Sequence, residues 1–215
     1  MKRAELPKLY AIVDARSFAR AKNPSAAMAK YARALVAGGV RLIQYRNKTG
    51  SAREMLEQAR ALKRAVGRKA SLIFNDRADL CLAAGFDGVH VGQEDLSPAA
   101  ARRVIGKDRL LGISTHNGKQ LREADGTSAD YIAIGPVFAT KSKAKPDPVV
   151  GLKGVRAARR ATRKTLVAIG GITRANCRAV VGAGADAVAV LSGLLGSPRQ
   201  SAEEFGELLK RKERH

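Results

Sequence analysis

The sequence predicts an α/β protein that folds as a single (β/α)8 TIM barrel over residues 1–215. Three observations lead to this prediction. Short runs of apolar, β-branched residues alternate with helix-forming stretches rich in Ala, Arg and Leu. The short runs carry apolar residues at consecutive positions, which is typical of parallel strands buried on both faces. About eight such strand and helix units fit in the chain, which is the number that closes this barrel.

The elements follow one another in a regular order. The strands are expected at 9–13, 40–45, 71–75, 88–91, 110–114, 131–135, 166–169 and 187–191. The helices are expected at 25–36, 52–66, 78–84, 98–105, 118–125, 152–161, 174–182 and 202–211. Ala-Gly pairs at 37–38, 84–85 and 183–184 support this register, because glycine commonly ends a helix. No linker is visible, and the one long loop, 136–151, has a length typical of active-site lids.

Composition narrows the classes of function. The 45% hydrophobic content argues against disorder, and no apolar run is long enough to cross a membrane. The first residues show no apolar segment typical of a signal peptide, and Cys81 and Cys177 lie outside any metal-binding or redox spacing. The formal net charge is +21, but aromatic residues make up only 4% of the chain and no Trp is present. We therefore expect a protein that binds neither nucleic acid nor membranes and whose positive field attracts small anions.

The most informative polar residues follow the second strand. Gln44, Arg46 and Lys48 stand at alternate positions, so their side chains share one face of an extended segment. Active-site groups of this fold lie at the carboxyl ends of the strands. Two cations and an amide at such an end predict a site for a phosphorylated ligand, which Arg46 can bind with two parallel hydrogen bonds.

Two acids follow the next two strands. Asp76 comes directly after Asn75, and Asp95 lies a few residues after His90, which we interpret as a buried barrel residue. Each acid could simply cap the helix that follows it. Because both are expected near the cations of Arg46 and Lys48, they could instead bind Mg2+ together with substrate phosphates. Sequence alone leaves these two alternatives open.

The last strands predict a second phosphate subsite. The sixth strand ends in Gly135-Pro136 and leads to hydroxyls and lysines that could close over an anion. Paired glycines follow the seventh strand, and Ser192 follows the eighth. Backbone N–H groups at these places commonly bind phosphate in this fold, because glycine permits a close approach. Two subsites imply two phosphorylated substrates or one bisphosphate.

The order of these motifs resembles the thiamine-phosphate synthase family. The resemblance extends over nearly the whole chain and rests on Gln44-x-Arg46-x-Lys48, Asn75-Asp76-Arg77, His90-x-Gly92-Gln93-x-Asp95-Leu96, Gly112-x-Ser114-x-His116, Gly135-Pro136-x-Phe138-x-Thr140-x-Ser142-Lys143 and Ala168-Ile169-Gly170-Gly171-Ile172. It implies a transferase of thiamine biosynthesis, which joins hydroxymethylpyrimidine diphosphate to a thiazole phosphate, with or without a carboxylate, and releases pyrophosphate. Several positions depart from the family pattern. Tyr45 stands where leucine is commoner, Asn47 where an acid is usual, Ala139 where proline is common, and Lys141-Ser142 where a pair of small or hydroxyl residues is common.

The resemblance also implies a role for each site residue. The pyrimidine diphosphate would contact Gln44, Tyr45, Arg46, Asn47, Lys48, Asn75, Ser114 and Lys143. The thiazole phosphate would contact Thr140, Lys141, Ser142, Gly171, Leu191 and Ser192. Catalysis would depend on Lys143, Arg46, Lys48 and Ser114, and one Mg2+ per active site would bind to Asp76 and Asp95. The partners would be small phosphorylated molecules, and the chain could form a homo-oligomer.

Two alternatives remain. A thiazole tautomerase on the same barrel would share the phosphate pocket and use His116 as an acid or base, but it does not need the diphosphate and metal residues. Retention of Asp76, Asp95 and Lys143 favours the synthase. The second alternative is a basic nucleic-acid-binding protein, which would show binding that depends steeply on salt.

Overall fold

The computed structural model describes residues 4–140 and 147–210. In these residues, eight parallel strands form a closed barrel in sequence order, and β1 completes it by pairing with β8. The predicted (β/α)8 TIM barrel is confirmed. Its strands are β1 (Leu9–Asp14), β2 (Leu42–Arg46), β3 (Ser71–Asn75), β4 (Gly88–Val91), β5 (Leu110–Thr115), β6 (Tyr131–Ile134), β7 (Thr165–Ile169) and β8 (Ala187–Val190).

A helix lies after each strand, as expected. The helices are α1 (Pro24–Ala37), α2 (Ala52–Val66), α3 (Ala78–Ala83), α4 (Pro98–Ile105), α5 (Gly118–Asp125), α6 (Gly151–Ala161), α7 (Cys177–Gly182) and α8 (Pro198–Lys210). Two short 3-10 helices, Ala15–Phe18 and Ser192–Leu194, follow β1 and β8 and were not predicted. The predicted bounds of α2 and α4 agree with the structure to the residue.

Helix ends follow ordinary capping chemistry. The side chains of four N-cap residues each accept a hydrogen bond from the backbone N–H three positions later: Asn23, Ser51, Ser97 and Asn117. The largest errors in the prediction are at such ends. Helix α8 starts at Pro198 rather than residue 202, with proline in its first turn, and α7 starts at Cys177 rather than residue 174. Strand β2 starts two residues later than expected. Val40 cannot begin β2, because its N–H donates to Leu35 at the end of α1.

The strands separate two apolar regions. The outer region packs the strands against the helices and contains most of the buried side chains. The inner region fills the barrel lumen and includes Tyr10, Leu42, Ile73 and Tyr131. Both strand faces are thus buried, as the consecutive apolar residues predicted. A cavity remains at the carboxyl ends of the strands, and Tyr10 of this inner region forms part of its lining.

Two further expectations concern the cysteines and membranes. Cys81 and Cys177 are both free and buried. Within residues 4–140 and 147–210, no helix combines the length and the apolar character required to cross a membrane.

Candidate active site

A cavity of about 650 Å³ opens at the carboxyl ends of the strands, and all eight strands contribute to its lining. The structure brings most of the predicted residues together there. Those that line the cavity are Gln44, Arg46, Lys48, Asn75, Asp76, Asp95, Ser114, Thr140, Gly171, Leu191 and Ser192. Residues up to 148 positions apart in sequence thus share one site, because the carboxyl ends of parallel strands meet at one mouth.

Arg46 is held in place by a residue that the sequence reasoning missed. Asp14, the last residue of β1, is in register with Arg46 on β2. Its carboxylate accepts a hydrogen bond from the Arg46 guanidinium at 2.5 Å, and the two side chains are only 7% and 16% exposed. Asp14 also accepts a hydrogen bond from the Arg16 N–H. Asp14 could have been found from the sequence, because it is a polar residue at the carboxyl end of a predicted strand. Polar residues at the ends of the other strands were selected on that ground.

Lys48, Asp76 and Asp95 form a charged cluster at the cavity rim. Lys48 extends beyond β2 and pairs with Asp76. Asp76 has a φ of 66°, a conformation that costs a non-glycine residue about 1–2 kcal/mol. Burial raises the pKa of the Asp76 carboxyl to about 6, while a hydrogen bond from Lys48 lowers the pKa and a contact with Asp95 raises it. The two carboxyl groups therefore lie close together, and a shared cation would relieve their repulsion.

Neither acid caps a helix. The residue at the N-cap of α3 is Arg77, which makes no side-chain capping bond, and the cap of α4 is Ser97. Asp95 instead accepts a hydrogen bond from the Gly92 N–H at 2.7 Å. The described residues contain no group of three or more His, Cys, Asp or Glu that could hold a metal. Two carboxylates fit Mg2+, which commonly completes its shell with substrate phosphate and water.

The side chains of Tyr45 and Asn47 lie outside the cavity lining. Both residues were expected to contact the pyrimidine diphosphate, and that contact stays a prediction. Strand alternation directs them outward, toward the helices. Tyr45 is 0% exposed and donates a hydrogen bond to Gln58 on α2, and Asn47 donates to the same oxygen. Their side chains therefore anchor β2 to α2, behind the face that carries Arg46.

Asn75 has an unpaired amide in the cavity wall. Its side chain is 8% exposed, and Nδ2 has no hydrogen-bond partner among the residues that the structure describes. A buried N–H without a partner costs about 1–3 kcal/mol. Since Asn75 lines the cavity, an acceptor on a bound ligand would remove this cost.

The opposite wall, at β7 and β8, carries no charged side chain among the described residues, so Ser192 and the backbone supply its polar groups; we call it the backbone wall. Gly170 and Gly171 have φ values of 101° and 63°. A Cβ on Gly171 would lie 2.6 Å from the Ala139 oxygen, and one on Gly170 would lie 2.6 Å from Pro136. The glycine pair thus lets segment 136–139 cross β7 closely, in addition to lining the cavity. Leu191 and Ser192 complete this wall at the end of β8.

The long loop is only partly described. Lys141, Ser142 and Lys143 lie outside the described residues, so their predicted roles stay predictions. Beyond this gap, Asp147 lines the cavity and lies 3.5 Å from Nδ1 of His116. The same His116 nitrogen is 2.7 Å from the Gly135 carbonyl oxygen. His116 therefore connects the two ends of the loop at the cavity rim.

Comparison with known proteins identifies the family. A family model described as thiamine monophosphate synthase matches residues 9–194. The chain belongs to this family. The matched region contains every motif on which the resemblance was based, and the expectation of an enzyme of the thiamine-phosphate synthase type is confirmed at the level of the family.

Individual relatives agree with this assignment. The thiamine-phosphate synthase of Koribacter versatilis is 61% identical over 206 residues, which are 95% of this chain and 97% of the relative. That of Chloroflexus aurantiacus is 43% identical over 88% of this chain and 86% of its own length. The structure of a thiamine phosphate pyrophosphorylase from Pyrococcus furiosus has a TM-score of 0.81 at 32% identity and covers 94% of this chain and 95% of its own chain.

Proposed function

We propose that this protein joins hydroxymethylpyrimidine diphosphate to a thiazole phosphate, giving thiamine phosphate and pyrophosphate. The observation that carries the proposal is the division of the cavity into two unlike walls. One wall presents cations, carboxylates and an amide that has no partner among the described residues, and the other presents glycines, apolar side chains and a serine. Two phosphorylated substrates of different charge fit such a division.

The diphosphate belongs on the charged wall. Arg46 can bind its oxygens with two hydrogen bonds, and Lys48 supplies a second positive charge. Asn75 Nδ2, buried without a partner among the described residues, would donate a further hydrogen bond. Lys48 is 47% exposed and can move from Asp76 to the incoming anion, because its side chain is flexible.

Mg2+ would be held by Asp76 and Asp95 and would neutralise charge on the leaving pyrophosphate. A cation held by both residues would also offset the repulsion between the two carboxyl groups, since the contact with Asp95 raises the pKa of Asp76. The strained backbone of Asp76 fits the same role, since strain of this kind is concentrated at functional sites.

The chemistry needs no protein nucleophile. The bond between the pyrimidine methylene carbon and the diphosphate oxygen breaks, and pyrophosphate leaves with the electron pair. The electron-rich aminopyrimidine stabilises the resulting cation, and the thiazole nitrogen then donates its lone pair to the same carbon. Arg46, Lys48, Ser114 and Lys143 would stabilise the departing charge and position the reactants.

The thiazole phosphate belongs on the backbone wall. Gly171, Leu191 and Ser192 line it, and the loop that carries Thr140 lies at its edge. With its phosphate held there, the thiazole ring would lie between the two walls, next to the methylene carbon. The loop would also keep water from capturing the cation.

Pyrophosphate release is the direct test of this proposal. We expect release, with thiamine phosphate as product, only when the pyrimidine diphosphate, the thiazole phosphate and Mg2+ are all present. Omission of any one is the control. Failure of release from folded protein that still binds thiazole phosphate would overturn the proposal and favour the thiazole tautomerase.

Several partner assignments stay predictions. We expect a cytoplasmic enzyme with small phosphorylated substrates and no nucleic-acid partner. Absence of DNA or RNA binding at moderate salt would support this expectation, and tight binding that depends steeply on salt would contradict it.

A further inference from the structure

A continuous chain of hydrogen bonds crosses the floor of the cavity. Gln44 Nε2 donates to the Tyr10 hydroxyl at 2.9 Å, and this hydroxyl lies 3.0 Å from that of Tyr131. The Tyr131 hydroxyl lies 3.1 Å from Nδ1 of His90, whose Nε2 lies 2.8 Å from the Ser114 hydroxyl. The chain thus connects Gln44 and Ser114, two cavity residues on β2 and β5, through three side chains between them.

The three connecting residues are buried. Tyr10 is 1% exposed, Tyr131 0% and His90 6%. A Cβ on Gly112 would overlap the Tyr131 ring and hydroxyl and Nδ1 of His90, so glycine at this position makes room for their hydrogen bond. The Tyr10 and Tyr131 rings also contact each other edge to face. The geometry of the chain is therefore fixed by packing.

Burial favours the uncharged form of the three connecting residues. A neutral phenol and a neutral imidazole each offer one donor and one acceptor. The direction of one hydrogen bond therefore sets the direction of all the others.

The donor at Gln44 fixes this direction. With the amide nitrogen donating to Tyr10, the one-donor, one-acceptor order of the chain is completed when Tyr10 donates to Tyr131 and Tyr131 donates to Nδ1 of His90. The imidazole proton then lies on Nε2 and is donated to Ser114. This leaves the Gln44 carbonyl oxygen as an acceptor and the Ser114 hydroxyl hydrogen as a donor for a ligand. The opposite direction would require the Gln44 amide to turn over and all the intervening protons to move.

We propose that Tyr10, Tyr131 and His90 are positioning residues that couple Gln44 to Ser114, so that the floor of the cavity selects a ligand with a hydrogen-bond donor at Gln44 and an acceptor at Ser114. This inference rests on the proposed function, in which an aminopyrimidine diphosphate supplies the amino donor and the acceptor atoms. The thiazole phosphate, on the opposite wall, does not depend on this coupling.

Tyr131→Phe tests the coupling, because it removes the central hydroxyl and keeps the ring. Tyr31→Phe is the matched control: Tyr31 is 8% exposed, and its hydroxyl has no hydrogen-bond partner within residues 4–140 and 147–210. We would measure binding of pyrimidine diphosphate and of thiazole phosphate by calorimetry and record the protonated imidazole nitrogen of His90 by 15N NMR. Loss of one hydrogen bond predicts pyrimidine diphosphate binding weaker by about tenfold in Tyr131→Phe. Thiazole phosphate binding should stay unchanged, and Tyr31→Phe should behave like the wild type.

The NMR measurement separates the coupling from the proposed reaction. In the wild-type protein without ligand, we expect the imidazole proton on Nε2, and Tyr131→Phe should shift this preference. A wild-type proton on Nδ1, or unchanged binding and spectrum in Tyr131→Phe, would overturn the coupling even if the enzyme makes thiamine phosphate. Failure of the wild type to bind pyrimidine diphosphate would instead contradict the proposed function. If Tyr131→Phe does not fold, Tyr10→Phe tests the same chain of hydrogen bonds. It should weaken pyrimidine diphosphate binding to the same extent, and unchanged binding would overturn the coupling.

Discussion

The two walls of the cavity are built in different ways. The wall at β2 to β5 consists of side chains, and its charges are paired with one another: Arg46 with Asp14, and Lys48 with Asp76. The wall at β7 and β8 has no charged side chain among the described residues, and its Gly170 and Gly171 adopt conformations of positive φ. The side-chain wall can bind through charge, whereas the backbone wall depends on the shape of its turns.

This difference decides how far a sequence motif can be interpreted. A cation at the end of a strand has few structural reasons to be there, so Arg46 indicated a ligand directly. A pair of glycines at the end of a strand can have several structural reasons. The approach of segment 136–139 to Gly170 and Gly171 is sufficient to require glycine, whatever ligand binds. Side-chain and backbone sites should therefore respond differently to substitution.

The largest effect is expected for the two acids of the side-chain wall. Asp76→Asn and Asp95→Asn keep the side-chain size but remove charge, so Mg2+ binding should weaken and turnover should fall by at least about 100-fold. Steady-state rates over a range of Mg2+ concentrations would measure this. Asp79→Asn, on the exposed first turn of α3, is the control and should keep its activity. Equal rates in the wild type and both acid variants would contradict the metal assignment.

A smaller effect is expected for the backbone wall. Gly171→Ala must adopt a φ of 63° and also overlaps the Ala139 oxygen, so it should lower the free energy of unfolding by about 2–4 kcal/mol. Gly85→Ala is the matched control, with a φ of 66° and no atom within 4 Å of its Cβ, and should cost only about 1–2 kcal/mol. Urea unfolding would give both values.

Kinetics of the same variant would assign the wall to a substrate. Gly171→Ala should raise the KM for thiazole phosphate and leave that for pyrimidine diphosphate unchanged. If Gly171→Ala raised only the KM for pyrimidine diphosphate, the two substrates would have been placed on the wrong walls.

The smallest effect is expected for the residue that holds Arg46. Asp14→Asn should loosen the guanidinium and raise the KM for pyrimidine diphosphate by about tenfold, which corresponds to about 1.4 kcal/mol. In an Arg46→Ala background, Asp14→Asn should not raise this KM further, because Asp14 acts through Arg46. Asp130→Asn is the control: Asp130 pairs with Arg102 just before β6, at the amino ends of the strands. An equal effect of both variants would assign Asp14 a purely structural role.

The sequence predicted the local features well. The alternation of buried strands and helices, the glycine stops and the polar residues after each strand depend only on neighbours along the chain. For the same reason, alternation along β2 already indicates that the side chains of Tyr45 and Asn47 point away from the face that carries Gln44 and Arg46. The ends of β2 and α8 were less predictable, because a terminal N–H can bond either to the preceding turn or to the next strand.

By itself, the sequence determined the barrel, the end of the barrel that carries the site and the family. Only the tertiary structure decided that neither Asp76 nor Asp95 caps a helix, that Asp14 holds Arg46, and that Tyr10 reaches Tyr131 across 121 positions of sequence. The physical reason is the closure of the barrel. Strand faces and helix caps follow from local geometry, but contacts across the lumen exist only once β1 pairs with β8 and the inward side chains share one small space.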